Sequence, residues 1–386
     1  MTTFEKDKQF IAGTYGRFPI EIVSGKGEIL TDVNGKQYID LGSGIAVNTF
    51  GACDTEWVNA VNEQINKIQH TSNLYYTQPC TKLAKMLCER TGMKKVFFSN
   101  SGAEANECAI KCARKYSFDK YGEGRSKIIT LINSFHGRTV TTLSATGQDS
   151  FHTDFMPFTE GFSYARANDI ESVKENLDGA CAIMFECVQG EGGVNALDKE
   201  FILELKKIAD ENDILLICDE VQTGNGRCGK LYAYMNYGIT PDIVSTAKGL
   251  AGGLPLGATM FNDKTENVLT VGKHGSTFGG NPVCCAAAVS VLKRIDDKLM
   301  SEVTEKSEYI KSELIGSKGV ISVSGMGLML GIKTERPNKE IIAECMENGV
   351  LVLSAKDKVR LLPPLNISNE NLTKAIKILK EAISNV

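Results

Sequence analysis

Two acids and a lysine stand out in the middle of the chain, because they follow short apolar runs. Asp219 and Glu220 come directly after residues 214–218, and Lys248 comes shortly after residues 243–245. Runs of this length and composition are typical of buried parallel strands. Ligands of an open α/β sheet bind beyond the carboxyl ends of its strands, so we expect the carboxylates and the amine to reach the same rim.

Small residues surround this lysine, at positions 247, 249 and 251–253. A flat ligand can therefore approach the Lys248 amine closely, and Asp219 facing it could hold a ring nitrogen protonated. An amine and a carboxylate so placed are the minimum equipment for a carbonyl cofactor such as pyridoxal phosphate. Taken alone, each residue also fits a plainer role, as a capping acid or as a solvated loop lysine.

A second candidate binding element follows the predicted strand at 95–99. Ser101, Gly102 and Ala103 are small, and Ser101 and Glu104 have the spacing of a capping box at the start of a helix. The first-turn amides of a helix are unpaired and lie at the positive end of its dipole. A phosphate placed there would gain charge-assisted hydrogen bonds. The same pattern also fits a well-capped helix without a ligand.

Five predicted strands end in polar, glycine-rich loops, at residues 99–103, 134–139, 186–193, 219–227 and 246–253. Five such endings on one rim indicate an active site. In the second loop, Phe135 could lie against a cofactor ring and Arg138 could bind a carboxylate. Considered singly, Phe135 also fits a core position, and His136 fits a structural role.

The length of 386 residues is sufficient for a large core and two lobes. We predict an N-terminal segment of the smaller lobe at 1–44, a large domain at 45–285 and a C-terminal small domain at 286–386. Hydrophobic residues make up 42% and charged residues 23% of the chain, as in ordinary globular proteins. The net charge of −4 and the lack of a basic block argue against nucleic acids and anionic membranes as partners.

Twelve cysteines lack the Cys-x-x-Cys spacing of zinc or iron–sulfur ligands, so no metal site is expected. Most lie among apolar residues, which predicts free, buried thiols in a reducing compartment. No run approaches the ~18 apolar residues of a membrane helix. The first ten residues, MTTFEKDKQF, have no apolar region of the signal-peptide kind. We therefore expect a cytoplasmic protein.

Six segments, in this order and spacing, resemble the class III, or ornithine-type, pyridoxal-phosphate aminotransferases. They are NSGAEANE (100–107), FHGRT (135–139), QGEGG (189–193), DEVQTG (219–224), AKG (247–249) and STFGGNP (276–282). The resemblance extends over nearly the whole chain. Within the family it is closest to the enzymes that act on N2-acetylornithine. Segments 15–17, 219–227 and 360–366 carry this closer resemblance. Segments 51–55 and 186–187 depart from the usual family pattern, and neither departure removes a catalytic group.

The resemblance implies an α/β protein of fold type I. Its large domain would hold a mostly parallel seven-stranded sheet, beside a smaller α+β domain. It also implies a homodimer with shared active sites and pyridoxal phosphate as cofactor. In the implied cofactor site, Lys248 is the covalent anchor, Asp219 lies at the ring nitrogen and Phe135 lies on the ring face. Gln222 lies near the ring hydroxyl, and the neighbouring Glu220 and Val221 also contact the cofactor. The phosphate is bound by Ser101, Gly102 and Ala103, together with Thr277 of the neighbouring subunit.

The substrate site implied by the resemblance contains Arg138 and Arg360 as carboxylate ligands, with Glu191 as a movable partner of Arg360. Ser276 and Tyr15 complete it. The implied reaction transfers the ω-amino group of N2-acetylornithine to 2-oxoglutarate, a step of arginine biosynthesis.

Other reactions stay open at this point. Ornithine, succinylornithine, 4-aminobutyrate and N-acetyl-lysine-type amines are alternative substrates within the same chemistry. An aminomutase needs no clamp for a second substrate, so Arg360 argues against it. A silent cofactor-binding protein would not need Lys248 and Asp219 together with both arginines.

Overall fold

The computed structural model describes residues 1–385. The strands of this part are β1 (Ile22–Lys26), β2 (Ile29–Asp32), β3 (Gln37–Asp40), β4 (Lys95–Ser99), β5 (Lys127–Leu131), β6 (Phe162–Ala165), β7 (Ala180–Phe185), β8 (Val188–Gln189), β9 (Asn195–Ala196), β10 (Leu215–Asp219), β11 (Ile243–Thr246), β12 (Gly257–Phe261), β13 (Val320–Met326), β14 (Met329–Thr334), β15 (Val350–Leu351), β16 (Leu353–Ala355) and β17 (Lys358–Leu361).

Its right-handed α-helices are α1 (Thr3–Phe10), α2 (Thr55–Ile65), α3 (Gln78–Thr91), α4 (Gly102–Tyr121), α5 (Val140–Ala145), α6 (Ile170–Lys174), α7 (Lys199–Glu211), α8 (Pro282–Arg294), α9 (Asp297–Leu314), α10 (Asn338–Glu347) and α11 (Asn369–Ser384). Short 3-10 turns occur at Asp149–Phe151, Ala233–Asn236 and Lys248–Leu250. A helical turn at Ser43–Ala46 has positive φ at all four residues, so it is left-handed.

A seven-stranded sheet in the order β4-β12-β11-β10-β7-β5-β6 forms the centre of the protein. All of its strands run parallel except β12, which is antiparallel to both neighbours. Strands β7 and β10 are buried at every position, which is why they appear as continuous apolar runs rather than alternating patterns. The predicted α/β fold with a mostly parallel seven-stranded sheet is confirmed.

The direction of β12 has a consequence for the site. Its first residue, Gly257, lies at the rim where the parallel strands end, beside Ser99 of β4. A Cβ on Gly257 would lie 2.3 Å from the Ser101 carbonyl oxygen, so only glycine lets the two chain segments approach this closely. The start of α4 is thereby held against the sheet.

A second group of elements combines the two ends of the chain. Strands β13-β14-β17-β16 form an antiparallel sheet with α9, α10 and α11 nearby, and β13 and β14 form a hairpin within it. Strands β2 and β3 form a second hairpin, and β3 pairs with β15 from the C-terminal part. The domain limits at 44/45 and 285/286 stay a prediction, and α8 runs through the second limit unbroken.

The twelve cysteines are free thiols, as predicted, and most of them are buried. Across residues 1–385 the helices are too short or too polar to cross a bilayer.

Candidate active site

A cavity of about 410 Å³ opens at the rim formed by β4, β5, β10 and β11. It brings together residues that lie far apart in the sequence. Those predicted for the site that line it are Ser101, Gly102, Ala103, Phe135, Arg138, Asp219, Val221, Gln222 and Lys248. The rim of the sheet thus carries the predicted amine, carboxylate and helix start in one enclosure.

Lys248 enters this cavity from a 3-10 turn directly after β11. Its φ of 43° is in the left-handed region, which is costly for a residue with a side chain and persists where the surroundings over-determine it. Burial lowers the pKa of the Lys248 amine; the nearby Glu191 and Asp219 carboxylates raise it and the Arg360 guanidinium lowers it, and the net shift is downward. A lowered pKa makes the neutral, nucleophilic amine available at lower pH.

This pKa shift leads to a prediction about the cofactor-free protein. The Lys248 amine should react with an amine-directed reagent at lower pH than Lys120, whose pKa is raised by its hydrogen bond to Asp213. Labelling across a pH series, followed by peptide mass spectrometry, measures both residues in one sample. If Lys248 required the same or higher pH than Lys120, the assignment of a depressed pKa would fail.

The Asp219 carboxylate is held in a fixed orientation by three hydrogen bonds. Its Oδ2 lies 2.7 Å from His136 Nδ1 and accepts from Asn106 Nδ2 at 2.8 Å, while Oδ1 accepts from the Val221 amide at 3.0 Å. Asn106 also donates to the His136 backbone carbonyl at 2.7 Å, which ties the Asn106 side chain to the loop that carries His136. Asp219 is only 3% exposed, and this network keeps the carboxylate oriented at the cavity wall.

Sequence reasoning missed Asn106 and assigned His136 no role in the site. Both lie inside the segments that carry the family resemblance, at 100–107 and 135–139. Their place in these two segments is the signal that could have identified them, because both segments lie at the rim of the sheet that carries the cavity.

Glu220 does not line the cavity, although we predicted it as a cofactor ligand. It accepts hydrogen bonds from the Thr223 hydroxyl at 2.6 Å and the Tyr234 amide at 2.8 Å, and burial raises its pKa to about 7. The Cys218 and Cys187 sulfur atoms and a Glu220 carboxylate oxygen all lie within 4.8 Å of one another, as the ligands of a metal ion can. Both Glu220 oxygens already accept hydrogen bonds from the protein, so these three residues form a closed buried cluster.

The start of α4 offers the predicted anion site. Ser101 caps the helix, with its Oγ accepting from the Glu104 amide at 3.2 Å. The capping box is only half formed, because the Glu104 carboxylate accepts instead from the Asn100 amide at 2.6 Å. A Cβ on Gly102 would lie 2.6 Å from a Val221 methyl group, so glycine is required for this wall to close. Ser101, Gly102 and their first-turn amides provide the donor set that a phosphate needs.

Glu191, Arg360 and Gln222 form a network at the edge of the cavity. Arg360 Nη1 lies 2.6 Å from Glu191 Oε1 and donates to Gln222 Oε1 at 3.2 Å, while Gln222 Nε2 donates to Glu191 at 3.3 Å. Burial raises the pKa of Glu191, but the adjacent Arg360 guanidinium outweighs it and holds the pKa below its usual value. Arg360 Nη2 also donates to Glu191 Oε2 at 3.4 Å, whereas Arg360 Nε is buried and has no hydrogen-bond partner within residues 1–385.

Arg138 is exposed and stands over two aromatic rings. Its guanidinium carbon lies 4.4 Å from the ring centroid of Phe151 and 5.5 Å from that of Phe135. No ion pair involving Arg138 occurs in the described part of the chain. Its donors are therefore available to a carboxylate that enters the cavity.

Besides Glu220, and Glu191 and Arg360 at the edge, three further predicted residues lie outside the cavity of one chain. Ser276 Oγ accepts from Asn100 Nδ2 and from the Gly279 amide, both at 3.0 Å. Thr277 is exposed, and Tyr15 is 73% exposed beneath the Arg17 guanidinium. The cavity as built from a single chain therefore does not use them.

Comparison with known proteins identifies the family. The family described as Aminotransferase class-III matches residues 10–383. The chain belongs to the class III aminotransferases. Among curated relatives, the acetylornithine aminotransferase of Haemophilus ducreyi is 48% identical over 382 residues, covering 98% of this chain and 97% of its own length. That of Aquifex aeolicus is 45% identical over 377 residues, covering 97% of this chain and 100% of its own. This class III chain is an aminotransferase.

Solved structures of the family share the fold over the full length. The ornithine aminotransferase from Toxoplasma gondii has a TM-score of 0.94 at 30% identity, covering 99% of this chain and 93% of its own. The N-acetylornithine aminotransferase from Stenotrophomonas maltophilia has a TM-score of 0.85 at 31% identity, covering 99% and 98%. Proteins named for two different substrates share this fold, so the fold alone does not select the substrate.

Proposed function

We propose that this aminotransferase moves the ω-amino group of N2-acetylornithine to 2-oxoglutarate, with pyridoxal phosphate bound in the cavity. The products are N-acetylglutamate 5-semialdehyde and glutamate. The observation that carries the proposal is the joint geometry of Lys248 and Asp219 in one cavity with the Glu191–Arg360 pair at its edge. The relatives named acetylornithine aminotransferase support the choice of amine.

The residues of the cavity fit this cofactor. Ser101, Gly102 and the amides of the α4 start suit a phosphate, and the braced Asp219 carboxylate suits a protonated ring nitrogen. When bound, pyridoxal phosphate supplies a ring that accepts electrons from the reacting carbon of the substrate. Lys248 holds the cofactor through its amine, and Phe135 lines the wall where a flat ring would lie.

Lys248 is also the residue that moves a proton. After the substrate amine has taken its place on the cofactor, the freed Lys248 Nζ takes the proton from the substrate carbon that bears the amine, and a lowered pKa suits a base working near neutral pH. The negative charge of Asp219 would keep the ring nitrogen of the cofactor protonated. His136 and Asn106 hold the Asp219 carboxylate in place.

The Glu191–Arg360 pair explains how one cavity accepts two substrates. N2-acetylornithine carries one carboxylate, far from its reacting amine, whereas 2-oxoglutarate carries one beside its carbonyl and one at a distance. Glu191 neutralises Arg360 during the first half-reaction. The α-carboxylate of 2-oxoglutarate displaces Glu191 in the second, while Arg138 holds the distal carboxylate in both.

Conservative arginine variants test this division of labour. Lysine keeps the charge but cannot reproduce a bidentate contact with a carboxylate. Arg360→Lys should leave the first half-reaction within about threefold and slow the second by about tenfold or more, the loss of about 1.5–3 kcal/mol for a charged hydrogen bond. Arg138→Lys should slow both. Single-turnover absorbance, first with N2-acetylornithine and then with 2-oxoglutarate, separates the steps. Equal damage to both steps in Arg360→Lys would refute the assignment.

A homodimer in the cytoplasm is part of the proposal. Leu74, Tyr75 and Tyr76 are large apolar side chains left 85%, 69% and 99% exposed in one chain, as at a contact surface. Thr277 is exposed too, and the family resemblance implies that it contacts the phosphate of a neighbouring subunit. The free thiols suit a reducing compartment.

Turnover across a panel of ω-amines tests the choice of substrate. The panel comprises N2-acetylornithine, succinylornithine, ornithine and 4-aminobutyrate, each with 2-oxoglutarate. We expect N2-acetylornithine to have the highest kcat/KM. Ornithine is the second candidate, because a solved protein named ornithine aminotransferase shares the fold, which therefore does not exclude this amine. A higher kcat/KM for ornithine would move the protein to that activity without changing the roles of the residues.

A further inference from the structure

The loop that carries Lys248 is held by its backbone carbonyls. The carbonyls of residues 247, 249 and 251 each accept a hydrogen bond from a side chain of another segment. The donors are Asn225 Nδ2 at 3.2 Å, Thr49 Oγ1 at 2.7 Å and Trp57 Nε1 at 2.8 Å. These bonds flank the reactive amine on both sides along the chain, so they fix the path from which the lysine side chain departs.

Thr49 differs from the other two donors because it also contacts the segment that follows Arg360. Its backbone carbonyl accepts from the Leu365 amide at 2.9 Å, while its hydroxyl donates to the Gly249 carbonyl. Thr49 is 2% exposed, and a Cβ on Gly249 would lie 2.8 Å from its hydroxyl oxygen. Thr49 therefore links the loop that carries Lys248 to the segment that follows Arg360.

The position of Thr49 is set by the left-handed turn before it. Asp40 Oδ1 accepts from the amides of Gly42 at 2.8 Å and Ser43 at 3.0 Å, at the entry to this turn. Ile45, a β-branched residue, has a φ of 65° in it. Such a conformation is costly and persists where the surrounding structure determines it. Val47, directly after the turn, lines the cavity, so the turn delivers a wall residue and then Thr49.

We infer that Thr49 is a positioning residue of the transamination reaction. Its hydroxyl fixes the lysine loop so that Lys248 Nζ meets the substrate carbon, and its carbonyl sets the distance from that amine to the arginine clamp. This inference rests on the proposed role of Lys248. A donor lost at Thr49 would leave the Gly249 carbonyl buried without its partner, and the loop would sample other paths.

The test uses three variants of the full-length holoenzyme. Thr49→Val removes the donor and keeps the shape, and Thr49→Ser keeps the hydroxyl. Thr265→Val is the matched control, because Thr265 is 1% exposed and donates to the Asp242 carbonyl at 3.0 Å away from the cavity. We expect Thr49→Val to slow the first half-reaction by about tenfold, the scale of one buried hydrogen bond, with Thr49→Ser and Thr265→Val within about threefold.

The isotope effect distinguishes positioning from a general loss of active protein. With deuterium on the carbon that bears the reacting amine, Thr49→Val should show a larger isotope effect than wild type, because proton transfer to Lys248 becomes slower. A smaller active fraction would lower the amplitude and leave the isotope effect unchanged. A Thr49→Val rate equal to that of Thr265→Val, or a slow rate with an unchanged isotope effect, would overturn the inference.

Hydrogen exchange gives a readout that does not depend on activity. In the cofactor-free chain, Thr49→Val should speed amide exchange in peptides covering 246–253 and 361–367, whereas Thr265→Val should leave both unchanged. Unchanged exchange in both peptides would also overturn the inference. If Thr49→Val does not fold, Thr49→Cys replaces it, since a thiol is a weaker donor of similar size. Failure of the proposed function is recognised separately, by turnover in Lys248→Ala.

Discussion

Replacing Lys248 by alanine is expected to abolish turnover and the near-visible absorbance of the lysine-bound cofactor. In the proposed mechanism two functions are lost at once, the covalent anchor and the base that moves the proton. A positioned general base alone contributes about 100- to 10,000-fold in rate. The turnover rate with N2-acetylornithine and 2-oxoglutarate, together with the absorption spectrum, measures the loss of both functions.

The contacts of the cavity should survive this substitution. Asp219 keeps its bonds to His136 and Asn106, so Lys248→Ala should still bind the cofactor non-covalently. Lys120→Ala serves as a control at an exposed lysine outside the cavity. If Lys248→Ala retained an adduct that borohydride could trap, another residue would be the anchor.

Asp219→Asn is expected to lower the rate by about 100-fold or more while cofactor binding falls much less. Asparagine keeps the shape of the side chain but removes the charge that, in the proposed mechanism, holds the ring nitrogen protonated. Loss of one preorganised electrostatic group in an active site costs about 100- to 1,000-fold. The measurement is kcat together with the cofactor dissociation constant.

A second buried aspartate provides the matched control. Asp242 is 2% exposed and accepts from the Leu216 amide at 2.9 Å, at the opposite end of the strands from the cavity. Asp242→Asn should affect stability more than rate. If Asp219→Asn remained within a few-fold of wild type in kcat, Asp219 would not be the partner of the ring nitrogen.

The central strands were predictable because their burial leaves a mark in the sequence. The predicted strand at 95–99 coincides with β4, and the apolar runs at 214–218 and 243–245 overlap β10 and β11. Strand β1 was not predicted, since most of its residues are exposed and no apolar run marks it. The antiparallel direction of β12 was not predicted either, because strand direction depends on how the chain returns to the sheet.

The candidate site was predictable where single strand ends carry it. Asp219 is the last residue of the buried strand β10, Lys248 lies two residues after β11, and both line the cavity. Asn106 and His136 were missed because their role arises only where two further segments meet at the Asp219 carboxylate. Glu220 shows the converse: successive residues at a strand end point to opposite faces, and periodicity does not indicate which face holds the cavity.

Transfer of labelled nitrogen from the amine to the oxo acid is the decisive test of transamination by this protein. The holoenzyme is mixed with N2-acetylornithine that carries an isotopic label on its ω-nitrogen, freed of excess amine, and then given 2-oxoglutarate. We predict one labelled glutamate per active site, formed only after the oxo acid is added. Release of the label as ammonia, or its retention in the acylated amine, would contradict transamination in this cavity.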